Sequence, residues 1–412
     1  MSKVALSGNV LGTGTVTLAS PNTNSTVTLN LPATTGTVLI QDGTNTTTVV
    51  NLTATGTVNV GGGNISPQTG FKNRIINGAM TIDQRNNGAL VAGASGDIYS
   101  ADRFLTGVFG GGTGRISAQQ SSTVPTSAGF VKSVINTVTT ADASPSASFG
   151  YCFQHKIEGF NVADLGWGAS GAATVTLSFW VRNSLTGTYV ITLSNLGNAR
   201  AYSATYAISS ANTWELKTIT FPGDISGTWN TGNGQGIQLT WGLGGGTDRQ
   251  AAAVGSWGTG AGGGGTNAVT DASGCVDWIA TSGATFYITG VQLEKGSVAT
   301  PFEFRSIGTE LGLCQRYYEI ISNGDISGGA FSASNLFAGV RFAVEKRASP
   351  TVASVLNGTW VGNGNLGAIS SVAFDGISIR GCRMDSFSFA GTVTQGYAYN
   401  FRNFDWRISA EL

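Results

Sequence analysis

Charge, histidine and methionine are all scarce in this chain of 412 residues. Only 11% of residues are charged, against about 25% in ordinary soluble proteins. The 22 basic residues balance the 22 acidic ones, and no basic block is present to neutralise phosphates, which argues against a nucleic-acid partner. The one histidine, His155, stands in phase with Phe153 and Ile157, as a structural residue would. Its isolation removes Ser-His-Asp and Cys-His schemes. Cys152, Cys275, Cys314 and Cys382 lie far apart with no CxxC spacing, which disfavours a zinc site, a redox motif or a disulfide framework. They read as free, half-buried thiols. No run reaches the roughly 18 apolar residues of a membrane span, so no membrane insertion is expected. The start Met1-Ser-Lys-Val-Ala-Leu-Ser-Gly-Asn shows no apolar signal core, so synthesis in the cytoplasm is expected. No helical period longer than about two turns is legible.

Glycine (61 residues), threonine, serine and asparagine are abundant, and 41% of the chain is apolar. That mixture favours short strands and tight turns around real cores. The length suits roughly two to four domains. An all-β protein follows.

Residues 1–70 contain 17 threonines, two charges (Lys3 and Asp42) and no aromatic residue. Short alternating stretches such as Ser25-Thr-Val-Thr-Leu-Asn-Leu31 and Thr35-Gly-Thr-Val-Leu-Ile40 recur, each closed by Gly, Asn or Pro. One copy has too few large apolar groups for its own core. Several copies wrapped together could bury Val and Leu between chains. An intertwining or attachment segment is therefore expected, and a flexible Thr/Gly-rich linker is the plainer alternative.

A composition break at Gly61-Gly-Gly-Asn-Ile-Ser-Pro67 opens a second region, assigned to 71–312. Tyr151, Phe153, His155 and Ile157 share one face of a strand, as do Val175, Leu177, Phe179 and Val181. Further strands are expected over 189–194, 214–221, 237–243 and 286–293, the last with a bulge near Gly290. Trp180 falls oddly on a polar side. Many short antiparallel strands between turns predict a jelly-roll-like β-sandwich. A third region, 313–412, alternates again (Val340, Phe342, Val344; Trp406, Ile408, Ala410, Leu412) and is expected to be a smaller β-sandwich.

The run Asn73-Arg-Ile-Ile-Asn-Gly78, with Asp83-Gln-Arg85 and Asp102-Arg-Phe104, resembles the opening of bacteriophage tail-fibre sandwich domains. Gln154-His-Lys-Ile-Glu-Gly159, Leu177-Ser-Phe-Trp-Val-Arg182 and Thr213 to Gly223 are similar to later parts of the same family. The passage from Phe286 through Thr300-Pro-Phe-Glu-Phe-Arg305 to Glu319 resembles the junction between a carbohydrate-binding-module-like jelly roll and a distal tip. The resemblance covers about 70–312. It implies a homotrimeric virion component joined to other tail proteins by its N-terminal segment, with a host-surface glycan or protein as receptor.

Chemistry is sparse. Asp271, Asp277, Glu294, Asp375 and Asp385 could serve glycan cleavage, but no spacing singles out a pair, and the chain reads as non-catalytic. No acidic loop has calcium-ligand spacing, so no metal or cofactor is expected. The glycine runs at Gly110–Gly114 and Gly242–Gly265 are neither Walker nor Rossmann patterns; the longer one reads as a loop at a sandwich edge, with Trp257 in its middle. Sugars stack their C–H faces on Trp and Tyr while amides take the hydroxyls. On that ground Trp360, Asn363 and Asn365 in the presumed tip, and Trp257, are the receptor-binding candidates. Trp229 also stands in a turn-rich segment. Two rival functions share these features: a trimeric tailspike depolymerase, which needs a reactive carboxylate pair, and a stand-alone carbohydrate-binding or adhesion protein, which needs export.

Overall fold

The computed structural model describes residues 58–60, 63–65, 71–94, 96–260, 268–332, 336–356, 359–361, 365–389 and 394–412. The expectations for residues 1–57 lie outside the described residues. Two short strands, β1 (Val58–Val60) and β2 (Gly63–Ile65), pair with each other.

Thirteen strands make the sandwich among the described residues. They are β3 (Val91–Ala94), β4 (Ile98–Ala101), β5 (Phe104–Phe109), β6 (Arg115–Ser121), β7 (Ser133–Thr140), β8 (Gly150–Glu158), β9 (Val175–Asn183), β10 (Gly187–Ser194), β11 (Ala201–Ile208), β12 (Glu215–Phe221), β13 (Gln235–Gly245), β14 (Trp257–Gly258) and β15 (Thr285–Lys295). One sheet has the order β14-β11-β10-β13-β8-β5-β4 and the other β12-β9-β15-β7-β6-β3. Alternation decides which side chains meet between them. Phe153 and Trp241 are register partners on β8 and β13, and Val175, Leu177, Phe179 and Val181 point inward from β9; all are fully buried. The expected bulge on β15 is present: its register against β9 shifts between Thr289 and Gln292, and Gly290 has φ +63°. A Cβ there would stand 2.6 Å from the Phe130 ring, so the bulge requires glycine. Trp180 lies half-buried beside Gly290.

The expectation of a loop over Gly242–Gly265 is corrected in its first part. Gly242 to Gly245 belong to β13. Cβ atoms at Gly242 and Gly246 would stand 2.4 Å from the Thr270 carbonyl oxygen and 2.0 Å from that of Ser146. These glycines admit close backbone approach rather than supply slack.

Beyond β15 and the non-helical stretch through Arg305, the structure adds an element for which no helical period was legible. This is a capped helix, α1 (Ile307–Gln315), with the Ser306 side chain accepting from Thr309 N–H. Seven strands then follow: β16 (Tyr318–Ala330), β17 (Leu336–Arg341), β18 (Thr351–Leu356), β19 (Thr359–Val361), β20 (Asn365–Ser378), β21 (Gly381–Phe389) and β22 (Ala398–Ser409). Their order is β16-β17-β21-β20-β19-β22-β18, and β16 also pairs with β22 along most of its length. The single sheet therefore closes on itself, and Leu336, Met384, Phe401, Phe404, Trp406 and Ile408 fill its interior. Closure of this kind removes free strand edges, where the sequence suggested two stacked layers. The protein is all-β, with a sandwich followed by this small barrel.

The two bodies are clamped together by the very motifs that carry the sequence resemblance. Asn77, with φ +61°, donates from Nδ2 to the carbonyls of Ile82 (2.8 Å) and Asp102 (2.9 Å), while its Oδ1 accepts Ile82 N–H at 2.9 Å. Its backbone N–H is held by Glu310 of α1. Gln84 donates to Asp102 and to the Tyr318 carbonyl. The Arg85 guanidinium lies over the rings of Tyr99 (4.0 Å) and Tyr318 (3.6 Å), and Arg103 lies over Tyr317 at 3.7 Å. Both arginines pair with Glu411.

Candidate functional site

Of the sequence candidates, Trp257 is fully placed. It forms β14 opposite Tyr202 of β11 and is half-buried, so it is not a loop-tip residue. Its ring meets Trp167 at 5.4 Å and Trp229 at 5.6 Å, and Trp167 and Trp229 are 4.6 Å apart, all edge to face. Each indole N–H has an internal acceptor: Trp167 donates to the Ala173 carbonyl (2.6 Å), Trp257 to that of Pro222 (2.9 Å) and Trp229 to Asp224 (3.2 Å). Asp224 is in turn paired with Arg200 at 2.7 Å. The three rings are thus locked in place at one end of the sandwich. Trp167 was not singled out from the sequence, although its setting between Gly166 and Gly168 was a usable signal.

Asn363 lies outside the described residues. The backbone places Trp360 in β19, opposite Gly367 of β20 and Phe401 of β22, and Asn365 opposite Val361. Val361 in turn pairs with Asn400. Positions 360, 361 and 365 therefore belong to the barrel end reached by the start of β22, remote from α1 along strands of about 40 Å. That end also exposes aromatic side chains that the sequence reading passed over. Phe331, Phe337 and Tyr397 are 68%, 43% and 50% exposed. The Phe331 and Phe337 rings are 6.4 Å apart, and Ala330, beside Phe331, donates its N–H to the Tyr397 carbonyl at 3.0 Å. Nearby charges are matched rather than free, as in Arg402–Asp325 at 3.2 Å.

The carboxylates divide into packed and paired groups. Asp375 accepts from Arg383 and Glu294 from Thr300 and Gln292. The side chain of Asp385 lies outside what is described. Burial raises the carboxyl of Asp271, and burial, then the charges of Asp271 and Asp142, push that of Asp277 up to about 6. Asp277 packs so closely on Gly244 that a Cβ there would fall 2.0 Å from Oδ1. His155 is buried against the Phe104 ring (4.6 Å), and burial together with Arg103 holds its pKa well below the ordinary histidine range. All four cysteines are free, three of them buried. Among the described residues no group of three or more His, Cys, Asp or Glu gathers as metal ligands would, and no helix is long and apolar enough to cross a membrane.

A cleft of about 200 Å³ lies at the foot of α1, walled by Phe130, Phe302 and Phe304 and floored by Glu303, Arg305 and Glu310.

No protein-family profile and no curated protein matches the chain. Solved structures similar to parts of it include the enzymatically active domain of bacteriophage CBA120 tailspike protein 4, at 14% identity and TM-score 0.28, covering 54% of this chain and 21% of that one. A family 11 carbohydrate-binding module of a Clostridium thermocellum cellulosomal cellulase is 11% identical over 50% of this chain and 98% of its own, with TM-score 0.24. The CBM22 tandem of Paenibacillus barcinonensis Xyn10C is 9% identical over 79% and 98%, with TM-score 0.25. The chain thus spans about a fifth of the tailspike and nearly all of the two module structures.

Proposed function

We propose that this chain is a non-catalytic adhesion subunit of a bacteriophage tail fibre, binding a host-surface glycan or other receptor through the far end of its barrel. The sandwich acts as a spacer. Residues 1–70 join the subunit to other tail proteins and to two further copies in a homotrimer, which multiplies weak contacts into firm attachment. The observation that carries this reading is the exposed group Phe331, Phe337 and Tyr397 on a barrel clamped at its opposite end. Exposed aromatics on a rigid body are suited to stacking on sugar C–H faces, since little side-chain freedom is lost on binding.

The test is retention of the full chain on bacterial cells and on their purified surface polysaccharides. Phe331→Ala with Phe337→Ala should remove retention while leaving the unfolding temperature in place. Retention unchanged in that double variant overturns the role of the barrel end. Release of new reducing ends from the bound polysaccharide overturns the non-catalytic role.

A further inference from the structure

We infer that Asn323–Gly324, in the strand that closes the barrel, is a self-modifying site. With water as its one co-reactant, Asn323 converts to aspartate or isoaspartate in the folded chain and loosens the β16–β22 seam. The site stands whatever the barrel binds. In the reaction the Gly324 nitrogen attacks the Asn323 side-chain carbonyl carbon. The new C–N bond closes a five-membered succinimide, the backbone N–H gives its proton to water or hydroxide, and the amide nitrogen leaves as ammonia. Water then opens the ring at either carbonyl. One opening gives aspartate; the other gives isoaspartate, in which the chain runs through the side-chain carbon. Glycine after asparagine is the favoured setting, since no side chain crowds the attacking nitrogen. The step needs a mobile side-chain amide and a nitrogen able to approach it.

Six Asn-Gly pairs occur in the sequence, beginning at Asn77, Asn87, Asn233, Asn323, Asn357 and Asn363; the last two fall outside the described residues. Three of the other four are held. Asn77 is 1% exposed, and its Nδ2 donates to two carbonyls. Asn233 donates from Nδ2 to the Arg347 carbonyl at 2.9 Å, and the Arg347 guanidinium grips its backbone carbonyl in return. At Asn87 the nucleophile is tied, because Gly88 donates its N–H to the Asp83 carboxylate at 2.8 Å. Asn323 differs. It is exposed, and among the described residues no hydrogen bond holds its side chain. The bond it makes to the Asp405 carboxylate, at 2.9 Å, comes from its backbone N–H, which leaves the side-chain amide able to turn.

The strand is irregular at the same place. Asn323 has φ +54°, Asn403 across the seam has φ +58°, and the β16–β22 register shifts on both sides of Gly324. Such a break leaves the local backbone outside the regular ladder. A Cβ at Gly324 would stand 2.1 Å from the Phe404 ring, so the glycine that permits the attack is also required by the packing. Conversion sets a carboxylate where Asn323 stands, with Asp405 on its backbone N–H and Asp325 two residues on. Like charges so close repel. Isoaspartate also lengthens β16 by one backbone carbon, between the pairs Ile321–Trp406 on one side and Ile326–Phe401 on the other.

The full chain is kept at pH 8.5 and 37 °C, in buffer and in urea, then digested with trypsin at mildly acidic pH. The four described pairs fall in separate peptides, and residues 317–341 carry Asn323–Gly324 alone among them. Mass spectrometry follows amide turning to acid, and enzymatic methylation follows isoaspartate. In buffer Asn323 should convert at least about tenfold faster than Asn87, the factor that one hydrogen bond to a charged group is worth. It should also outrun Asn77 and Asn233. In urea the four rates should draw together. Asn323 converting no faster than Asn87 in buffer, or the same ordering surviving in urea, overturns the site. Asn323→Asp stands for the aspartate product. Its β16 and β22 amides should exchange hydrogen at least about tenfold faster than those of the wild type, with the sandwich unchanged. Exchange equal to the wild type overturns the loosening of the seam.

Discussion

Glu158, at the end of β8, receives Arg316 in a two-pronged grip, with Nε at 2.9 Å and NH2 at 2.6 Å. The Tyr317 hydroxyl donates to the same carboxylate at 2.6 Å. The Glu158 side chain is 1% exposed, so one buried charge of the sandwich organises the first residues beyond α1. Breaking a buried pair by removing one partner leaves the other charge without compensation. Glu158→Ala is expected to lower stability by about 3–5 kcal/mol. Urea unfolding followed by tryptophan emission measures it.

Asn77 has a different task in the same clamp. Its side chain satisfies three backbone groups, and its backbone is left-handed. Asn77→Ala strands those groups and places a Cβ residue at positive φ, for an expected loss of about 2–4 kcal/mol. Asn77→Gly relieves only the backbone part, so it should lose about 1 kcal/mol less. Equal losses in the two variants would show that φ at this position costs nothing.

Protonation gives the next prediction. Burial lifts Asp102 and Asp277 from 3.8 to about 6 in the folded chain. Between those values the folded state holds more protons than the unfolded, so these two groups make stability fall as pH rises from about 4 to about 6. Asp277→Asn removes its share: the unfolding temperature at pH 7 should rise, and the slope below pH 6 should flatten. Thermal melts at pH 4, 5, 6 and 7 decide the matter.

Assembly is a matter of mass. Light scattering of the full chain should give three copies of 42.2 kDa, and a chain starting at Phe71 should give fewer. A single-chain mass for both would remove the fibre reading and favour a stand-alone binding module.

Surface truncation should separate binding from folding at the barrel end. Phe331 and Phe337 are both surface residues, 68% and 43% exposed, and substitutions at the surface usually shift stability by no more than about 0.5 kcal/mol. The double alanine variant should therefore melt with the wild type while losing its hold on polysaccharide.

Strand identity was legible because a period of two needs only local order. Phe153 and Ile157, or Val175 through Val181, show their buried face in any extended stretch. Gly290 was legible as a bulge for the same reason, since the alternation breaks there. Helix α1 was not, because its apolar residues also serve the junction and form no clean stripe. Closure of the barrel was equally hidden: pairing of β16 with β22 joins residues some eighty positions apart, and no local pattern records it.

The candidate sites divide along the same line. That tryptophans and asparagines in glycine-rich turns have the chemistry recognition would use is visible residue by residue. Which of them meet is not. Trp167, Trp229 and Trp257 come together only because the loops after β8, β12 and β13 end on one side of the sandwich, and Tyr397 joins Phe331 and Phe337, neighbours across the β16–β17 hairpin, only because β16 pairs with β22. By itself the sequence determined the strands and their inward faces, since these follow from side-chain type and period. The tertiary structure alone decided which aromatics are locked inside and which face outward, because burial depends on partners that chain distance conceals.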